Sequence, residues 1–199
     1  MSDFKLINLG KECIIKRGIS WSREQETTST ENSIPVLTIP NIKKNLDLTK
    51  MKYLLNVKDE IIEKKSIKDG YTIAVGSNGN KKRVGDCCYI SEPSKMLFAS
   101  FLFALTPKEN SALNKNYLYY LFKSSLIRNQ IQSALIGTTT LSNLSKGYLE
   151  SLNVKIPSSK LNQQKIASIL YAYDKLIKKN TRLIEILEEM AQRIYKECL

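Results

Sequence analysis

The sequence predicts an α+β protein in which a globular body with a mixed, twisted sheet is followed by one long helix. Short β-branched runs separated by Gly, Pro and Asn recur through the first 158 residues, a pattern typical of strands and turns. From Leu161 onward the chain contains neither Gly nor Pro, and its apolar residues recur at alternating steps of four and three. A chain of 199 residues, 42% of them apolar, can form one ordinary domain plus an appendage.

The body is predicted to alternate strands and turns with two helices. Two short strands are expected within 4–17, bounded by Gly10 and Gly18, and the polar stretch 20–33 is expected to be a surface loop. Further strands are expected at 34–39, 71–75, 87–90, 97–105 and 149–156. The predicted helices lie at 59–68 and 116–136.

The long helix carries an apolar stripe with coiled-coil spacing. About 40 residues at about 1.5 Å each give roughly 55–60 Å, more than a small domain covers, so a partner surface is expected. The alternative is a helix packed along its own domain. Asn180 favours a helix pair, because an Asn at such a position fixes register and strand number. The predicted interface residues are Ile166, Leu170, Tyr173, Ile177, Asn180, Ile184, Leu187, Ala191 and Ile194.

Charge and composition restrict the possible functions. The net charge of +12 favours a polyanionic partner, usually nucleic acid, although a lysine-rich composition can also reflect codon bias. The chain has no histidine and its four cysteines form no CxxC, so the sequence predicts no metal site and no histidine-dependent catalytic centre. With no signal-like start and no long apolar run, we expect a cytoplasmic protein with reduced thiols and no membrane contact.

The glycine-rich stretch 76–85 is the strongest candidate for a binding loop. It follows a predicted strand but lacks the GxxxxGK[ST] spacing of a phosphate-binding loop. Asn and Arg side chains can read adenine and guanine edges, and Lys suits phosphate. A hairpin turn with solvated lysines is the alternative. The candidate DNA-binding residues of this loop are Asn78, Asn80, Lys81, Lys82 and Arg83.

Several segments occur in a characteristic order along the chain. They are 34–42 (IPVLTIPNI) followed by Leu46-Asp47, 68–75 (KDGYTIAV) with the glycines after it, 116–120 (NYLYY) followed by Gly137 and Leu141-Ser142, and 152–157 (LNVKIP) followed by 163–170 (QQKIASIL) and Asp174. In this order they resemble the segments of specificity subunits of type I restriction-modification systems. Two departures are the inverted order of Asp69-Gly70 and Gln163 in place of the usual Glu.

The resemblance implies a target recognition domain over 1–158 and a conserved spacer helix over 159–199. Members of that family normally carry two such units, each reading one half of a split DNA target while the two helices pair antiparallel. This chain holds one unit. It is therefore expected to form a homodimer through the helix and to read a gapped palindrome.

The resemblance also implies a division of labour between subunits. A specificity subunit binds double-stranded DNA and recruits DNA adenine methyltransferase subunits and a translocating endonuclease subunit, but catalyses nothing itself. It binds no cofactor, since S-adenosylmethionine belongs to the methyltransferase.

The matching segments place two loops, 76–85 and 137–142, at the expected DNA interface. The second loop adds Thr138, Thr139 and Thr140 as candidate DNA-binding residues. Two alternatives stay open. One is a truncated or orphan module that pairs with a full-length specificity subunit, and the other is an enzyme with unrecognised catalytic spacing.

Overall fold

A computed structural model describes residues 4–43, 46–92, 95–135 and 142–197. The strands of this part of the chain are β1 Phe4–Asn8, β2 Cys13–Arg17, β3 Glu26–Thr27, β4 Ile34–Leu37, β5 Lys52–Leu54, β6 Thr72–Val75, β7 Ser77–Asn78, β8 Cys87–Tyr89, β9 Leu97–Phe98, β10 Leu102–Pro107, β11 Ser142–Asn143 and β12 Asn153–Pro157. The helices are α1 Leu9–Glu12, α2 Asp59–Lys65, α3 Lys115–Lys123, α4 Ser125–Ala134, α5 Lys146–Ser151 and α6 Lys160–Glu197.

A central antiparallel sheet with strand order β2-β10-β6-β8 forms the middle layer of the body. Its two inner strands, β10 and β6, are buried at successive positions, and successive side chains point to opposite faces. On β10, Phe103 and Leu105 therefore join the core beneath α3 and α4, while Leu102 and Ala104 join a second core on the other face. This burial on both faces explains why the two inner strands show no polar alternation, whereas the edge strand β2 begins with alternating buried and exposed residues.

A second sheet, with order β3-β5-β4-β9, supplies the mixed character that the sequence predicts. Strands β4 and β9 are parallel, whereas the other pairs in this sheet are antiparallel. Val36, Leu54 and Leu97 form its small core, and Trp21 packs against them. Two further two-stranded sheets, β1 with β12 and β7 with β11, complete the sheets of the described residues. The α+β prediction is thus confirmed, with small sheets in place of one large one.

The pairing of β1 with β12 brings the two ends of the body together. Phe4 pairs with Pro157 at one end of the register, and Asn8 pairs with Asn153 at the other. The polypeptide then enters α6 three residues after β12 ends. Helix α6 consequently starts beside the first strand of the body.

Several sequence-based assignments are wrong in detail. The stretch 20–33, expected to be a loop, contains the short strand β3, and the strand expected over 34–39 ends at Leu37. The helix expected over 116–136 is two helices, because Ser124 adopts an extended conformation (φ −68°, ψ 156°) between α3 and α4. The strand expected over 149–156 begins at Asn153, since the residues before it form α5. The strand expected over 97–105 is split into β9 and β10 by a turn in which the Leu102 N–H donates to the Ala99 carbonyl.

Helix α6 is fixed to the body through its first four turns. The side chain of Gln163 is fully buried and makes three hydrogen bonds. Its Oε1 accepts from the Asn114 N–H at 2.8 Å, and its Nε2 donates to the carbonyls of Ala112 at 2.9 Å and Pro157 at 2.8 Å. Ala167, one turn later, is also buried. Asp174, about two turns after Ala167, accepts from the Tyr120 hydroxyl at 3.1 Å.

Candidate nucleic-acid interface

Two glycines fix the ends of the loop between β6 and β8. A Cβ on Gly76 would lie 2.3 Å from the ring of Phe103, so only glycine lets the backbone pass this buried ring. Gly85 has φ +89°, a conformation that other residues rarely adopt. The loop therefore leaves and re-enters the central sheet at positions that its sequence determines.

The two candidate asparagines shape the loop through their own side chains. The Asn78 Oδ1 accepts from the Asn80 N–H at 2.8 Å, and the Asn80 Oδ1 accepts from the Lys82 N–H at 3.1 Å. These are local turn and capping bonds of the kind that Asn commonly makes. These bonds use only the side-chain oxygens, so the amide NH₂ groups of Asn78 and Asn80 can still donate to a ligand.

Lys81 and Lys82 lie on a 3-10 turn and are exposed. Their backbone is held from behind by α4. Gln132 Nε2 donates to the Lys81 carbonyl at 3.2 Å, and the Arg128 guanidinium donates to the Lys82 carbonyl at 2.9 Å. The two ammonium groups thus project from a backbone that is anchored to a helix.

Arg83 occupies a different environment from its two neighbours. Its guanidinium donates to the backbone carbonyls of Ile39 and Ile42 and lies 3.4 Å from the Asp86 carboxylate. Arg83 therefore ties the loop to the chain segment after β4, and its role in DNA binding stays a prediction.

A basic pocket lies next to this loop, with a volume of about 510 Å³. Its charged lining comes from three separate parts of the chain: the segment after β4, the loop, and helices α3 and α4. Lys43, Lys123 and Arg128 join Arg83 there, and Asp86 is the acidic residue of the lining. The Asp86 carboxylate lies 3.1 Å from Arg128 as well as 3.4 Å from Arg83. Lys43 and Lys123 pair with carboxylates outside the lining, Asp47 at 2.6 Å and Asp174 at 3.7 Å. Four cations therefore meet three carboxylates, and the one surplus positive charge favours an anion such as a phosphate group.

An exposed aromatic side chain lies at the other end of the loop. The Phe101 carbonyl accepts from the N–H groups of Gly76 and Ser77 at 2.8 and 3.2 Å, while its ring is 49% exposed. The neighbouring Ser100 carbonyl accepts from Nε of Arg17 at 2.8 Å. The Arg17 guanidinium itself lies over the buried Phe103 ring, 5.6 Å from its centroid. Phe101 thus offers an exposed aromatic ring, a surface on which nucleic-acid bases can stack.

The predicted second loop lies mostly outside the described residues. Thr138, Thr139 and Thr140 belong to the segment 136–141, and their assignment stays a prediction. The residue that follows this segment, Ser142, pairs with Asn78 in the small β7–β11 sheet. The two loop segments named from the sequence are therefore neighbours at this pair of strands.

The predicted interface residues of α6 lie on the outside of the folded chain. Each of the nine is exposed, and Leu170, at 39% exposure, is close to the side that faces the body. Ile169, Leu176, Leu183 and Met190 widen the stripe along one edge. Between Lys175 and Glu197 every residue is exposed, so this half of the helix extends away from the body.

The cysteines of the described residues are buried. Burial raises the pKa of Cys13 to about 12 and likewise raises the pKa values of Cys87 and Cys88, so these thiols remain protonated near neutral pH. Cys198 lies outside the described residues. Within the described ranges, no group of three or more Cys, Asp or Glu side chains is arranged to hold a metal ion. None of the helices seen there combines the length and apolarity needed to cross a membrane.

Comparison with known families matches this chain over residues 1–189 to the type I restriction modification DNA specificity domain. The match includes the body and the first 30 of the 38 residues of α6. The chain belongs to this family. Membership confirms the resemblance that the order of the sequence segments indicates.

Individual relatives support the same assignment. The chain is 35% identical over 80 residues to the specificity subunit of the MjaIX type I restriction enzyme of Methanocaldococcus jannaschii, covering 40% of this chain and 18% of that protein. It is 23% identical over 185 residues to the putative MjaX specificity subunit of the same organism, covering 92% of this chain and 42% of that protein. The chain thus spans less than half the length of the curated relatives it matches.

The fold also resembles a solved structure. The crystal structure of a type I restriction-modification S subunit from M. genitalium superposes with a TM-score of 0.63, covering 92% of this chain and 42% of that chain at 17% identity. At this identity the likeness shows the fold. It supports a small-sheet body followed by a long helix.

Sequence reasoning did not find Lys43, Lys123, Arg128 or Phe101. The three cations meet only because β4, α3 and α4 pack around the loop, and those contacts join residues about 40 or more positions apart. Lys123 and Arg128 are five residues apart on two different helices, a spacing that indicates nothing by itself. Phe101 lies within what the sequence predicts to be one continuous strand, where exposure would not be expected.

Proposed function

We propose that this chain is the DNA sequence-recognition unit of a type I restriction-modification complex. The match of the specificity-domain family across both the body and α6 is the observation that carries this proposal. In the proposal, residues 1–158 form the target recognition domain and residues 159–199 the spacer helix. The chain itself is non-catalytic and binds no cofactor, and methyl transfer from S-adenosylmethionine belongs to a partner methyltransferase.

The DNA-facing surface of the proposal combines the loop with the basic pocket beside it. Lys81 and Lys82 supply exposed charge, and the pocket adds Lys43, Lys123 and Arg128, each of which also pairs with a carboxylate of the chain. Such contacts give affinity and register, whereas base-edge contacts give specificity. Asn78 and Asn80 are the proposed base-reading side chains of the loop, together with Thr138, Thr139 and Thr140.

The proposed assembly has two copies of the chain joined through α6. Two recognition domains related by a two-fold axis read a palindrome with a gap. The proposed protein partners are DNA adenine methyltransferase subunits and, with them, a translocating endonuclease subunit. The exposed stripe on α6 supports the homodimer, because a long apolar face in water favours burial against another surface.

The test is selection of binding sites from random double-stranded DNA by the purified chain. A gapped palindromic motif is the expected result. If no sequence is enriched and the purified chain binds DNA only weakly, direct recognition is overturned. That result would favour a module that pairs with a full-length specificity subunit. Methylation or cleavage of DNA by the purified chain alone would contradict the non-catalytic assignment.

The loop assignment has its own test on the selected site. Replacing Lys81 and Lys82 with alanine should reduce the slope of log Kd against log salt by about 0.9 per lost phosphate contact. The matched control replaces Lys11 on α1 and Lys155 on β12 with alanine. Both lysines are exposed, and their replacement lowers the net charge by the same amount. Equal slopes for the two variants would show that this loop does not contact the DNA backbone.

A further inference from the structure

The apolar stripe of α6 is symmetric about one residue, Asn180. Counted from this residue, the apolar positions fall at 3, 4, 7, 10, 11 and 14 residues in both directions. The paired positions are Ile177 and Leu183, Leu176 and Ile184, Tyr173 and Leu187, Leu170 and Met190, Ile169 and Ala191, and Ile166 and Ile194. Asn180 is the polar residue at the centre of this set.

The stripe is bounded by polar residues at equal distances from its centre. Seventeen residues before Asn180 lies Gln163, which is buried and hydrogen bonded to the body. Seventeen residues after it lies Glu197. A second stripe can therefore match this one along its full length only when the two centres coincide.

The face of α6 that contacts the body is different from the stripe. Gln163 and Ala167 are buried against the body, and at about 100° per residue the centre of the stripe lies roughly 120° around the helix from them. The body-facing side continues as Thr181, Glu185 and Gln192, which are polar and exposed. The stripe is therefore open to a partner along its whole length, beside the body as well as beyond it.

The charge along α6 distinguishes the two orientations of such a partner. Residues 160–179 carry five basic side chains and one acidic, whereas residues 181–197 carry three basic and four acidic. A parallel pair would place the two basic halves together, with two strongly basic bodies at the same end. An antiparallel pair places each basic half against the partner's weakly acidic half and separates the bodies by several Debye lengths.

We infer that two copies of this chain pair through α6 in an antiparallel register whose two-fold axis passes Asn180, so that Asn180 faces its own counterpart and Ile166 faces Ile194. The inference rests on the proposed homodimer and adds its register. Antiparallel registers shifted by one heptad would oppose Asn180 to Tyr173 or Leu187 and leave both amides without a partner. In the centred register each amide can donate to the other.

The register determines how far apart the two bodies are attached. Ala167 lies thirteen residues from the axis, so the two copies of Ala167 are about 39 Å apart along the pair. This is roughly one turn of B-DNA, the separation at which two symmetric recognition domains meet the same face of a duplex. The centred register therefore deepens the proposed function, because it sets the distance between the two half-sites.

Disulfide cross-linking of cysteine variants tests the register. The variants are Asn180→Cys, Ile166→Cys and Ile194→Cys, each made in a Cys198→Ser background that keeps the buried Cys13, Cys87 and Cys88. These positions are exposed in the single chain, so the fold of the body is preserved, and light scattering of each variant gives its mass. Lys178→Cys, on the opposite side of the helix two residues from Asn180, is the matched control.

Under mild oxidation, Asn180→Cys is expected to cross-link at least ten times faster than Lys178→Cys. Ile166→Cys and Ile194→Cys should each stay uncross-linked alone and form covalent dimers when mixed. A dimer in which Ile166→Cys links to itself would mean parallel helices and would overturn the register while leaving the homodimer intact. A dimer that cross-links at none of these positions would likewise overturn it. A monomer at every concentration would overturn the homodimer and the register together.

Discussion

At the scale of single residues, Gln163 explains how the long helix is held on the body. This one buried amide satisfies three backbone groups from two segments of the chain, Ala112 and Asn114 before α3 and Pro157 at the end of β12. A side chain with both a donor and an acceptor is needed, because two of the backbone groups are carbonyls and one is an N–H. The sequence shows only that Gln replaces the family's usual Glu, and its burial is not apparent from spacing.

Replacing Gln163 with Leu should destabilise the protein by roughly 2–4 kcal/mol, because it leaves buried backbone groups without partners. Chemical denaturation monitored by near-ultraviolet circular dichroism measures this loss. Gln164→Leu is the matched control, since the next residue is exposed on the same turn. Equal stability of the two variants would mean that Gln163 is not the attachment point of α6.

Glu12 holds the same chain segment from its other side. One carboxylate oxygen of Glu12 accepts hydrogen bonds from the Ser111 hydroxyl and the Ala112 N–H. Burial disfavours the charged form, but these two bonds and the nearby Lys5 and Lys108 outweigh it, and the pKa of Glu12 is lowered. A carboxyl whose pKa is lower in the folded state stabilises the fold above its unfolded pKa of about 4.3.

The stability that Glu12 contributes should therefore be lost as the pH falls below about 4.3 and through its folded pKa. The Glu12→Gln variant should be less stable than the parent near pH 7, and the difference should shrink towards pH 3. Urea denaturation at the two pH values gives the comparison. Glu60→Gln, which removes an exposed carboxylate from α2, controls for net charge. A constant difference between Glu12→Gln and the parent across this range would contradict the assignment.

At the scale of elements, the candidate interface depends on how α4 supports the loop. The Gln132 amide donates to the carbonyls of both Lys81 and Val84 at 3.2 Å. This residue is uncharged and is not part of the lining of the basic pocket. Its contribution to DNA binding can therefore be separated from that of the cations.

We expect Gln132→Leu to weaken DNA binding by a few-fold through loosening of the loop, while the salt dependence stays unchanged because no cation is lost. A Kd titration at several salt concentrations separates this effect from that of alanine at Lys81 and Lys82, which should reduce the slope. Gln130→Leu, on the same helix with its amide bonded to Asn153 instead, is the control. A reduced slope for Gln132→Leu would argue against this separation of roles.

The elements also show what could be predicted from the sequence. Strand β6 and the beginning of α6 could be located because their apolar runs are bounded by Gly76 and Pro157, which are local signals. The break between α3 and α4 could not, because Ser124 has no Gly or Pro beside it and the apolar spacing continues across it. Likewise the basic pocket depends on contacts between distant segments, and only its loop residues carry a local pattern.

At the scale of the whole molecule, the two halves of α6 differ in whether they pack against the body. The first half packs on the body through Gln163, Ala167 and Asp174, whereas residues 175–197 extend away from the body. Most helical stability in proteins comes from packing of an apolar face, not from the intrinsic propensity of the residues. The far half of α6 should therefore depend on whatever covers its stripe.

If a second copy covers the stripe, helix content should fall when the protein is diluted below the dimer dissociation constant. Far-ultraviolet circular dichroism at 222 nm, measured alongside light scattering, should lose the signal of about twenty helical residues at the concentration where the mass halves. A Leu183→Asp, Leu187→Asp variant should show the low signal at all concentrations. The control, Lys178→Asp, also introduces an acidic residue but lies away from the stripe. If the mass halves on dilution but the helix content does not change, α6 is stable without a partner. The stripe would then contribute to pairing but not to folding.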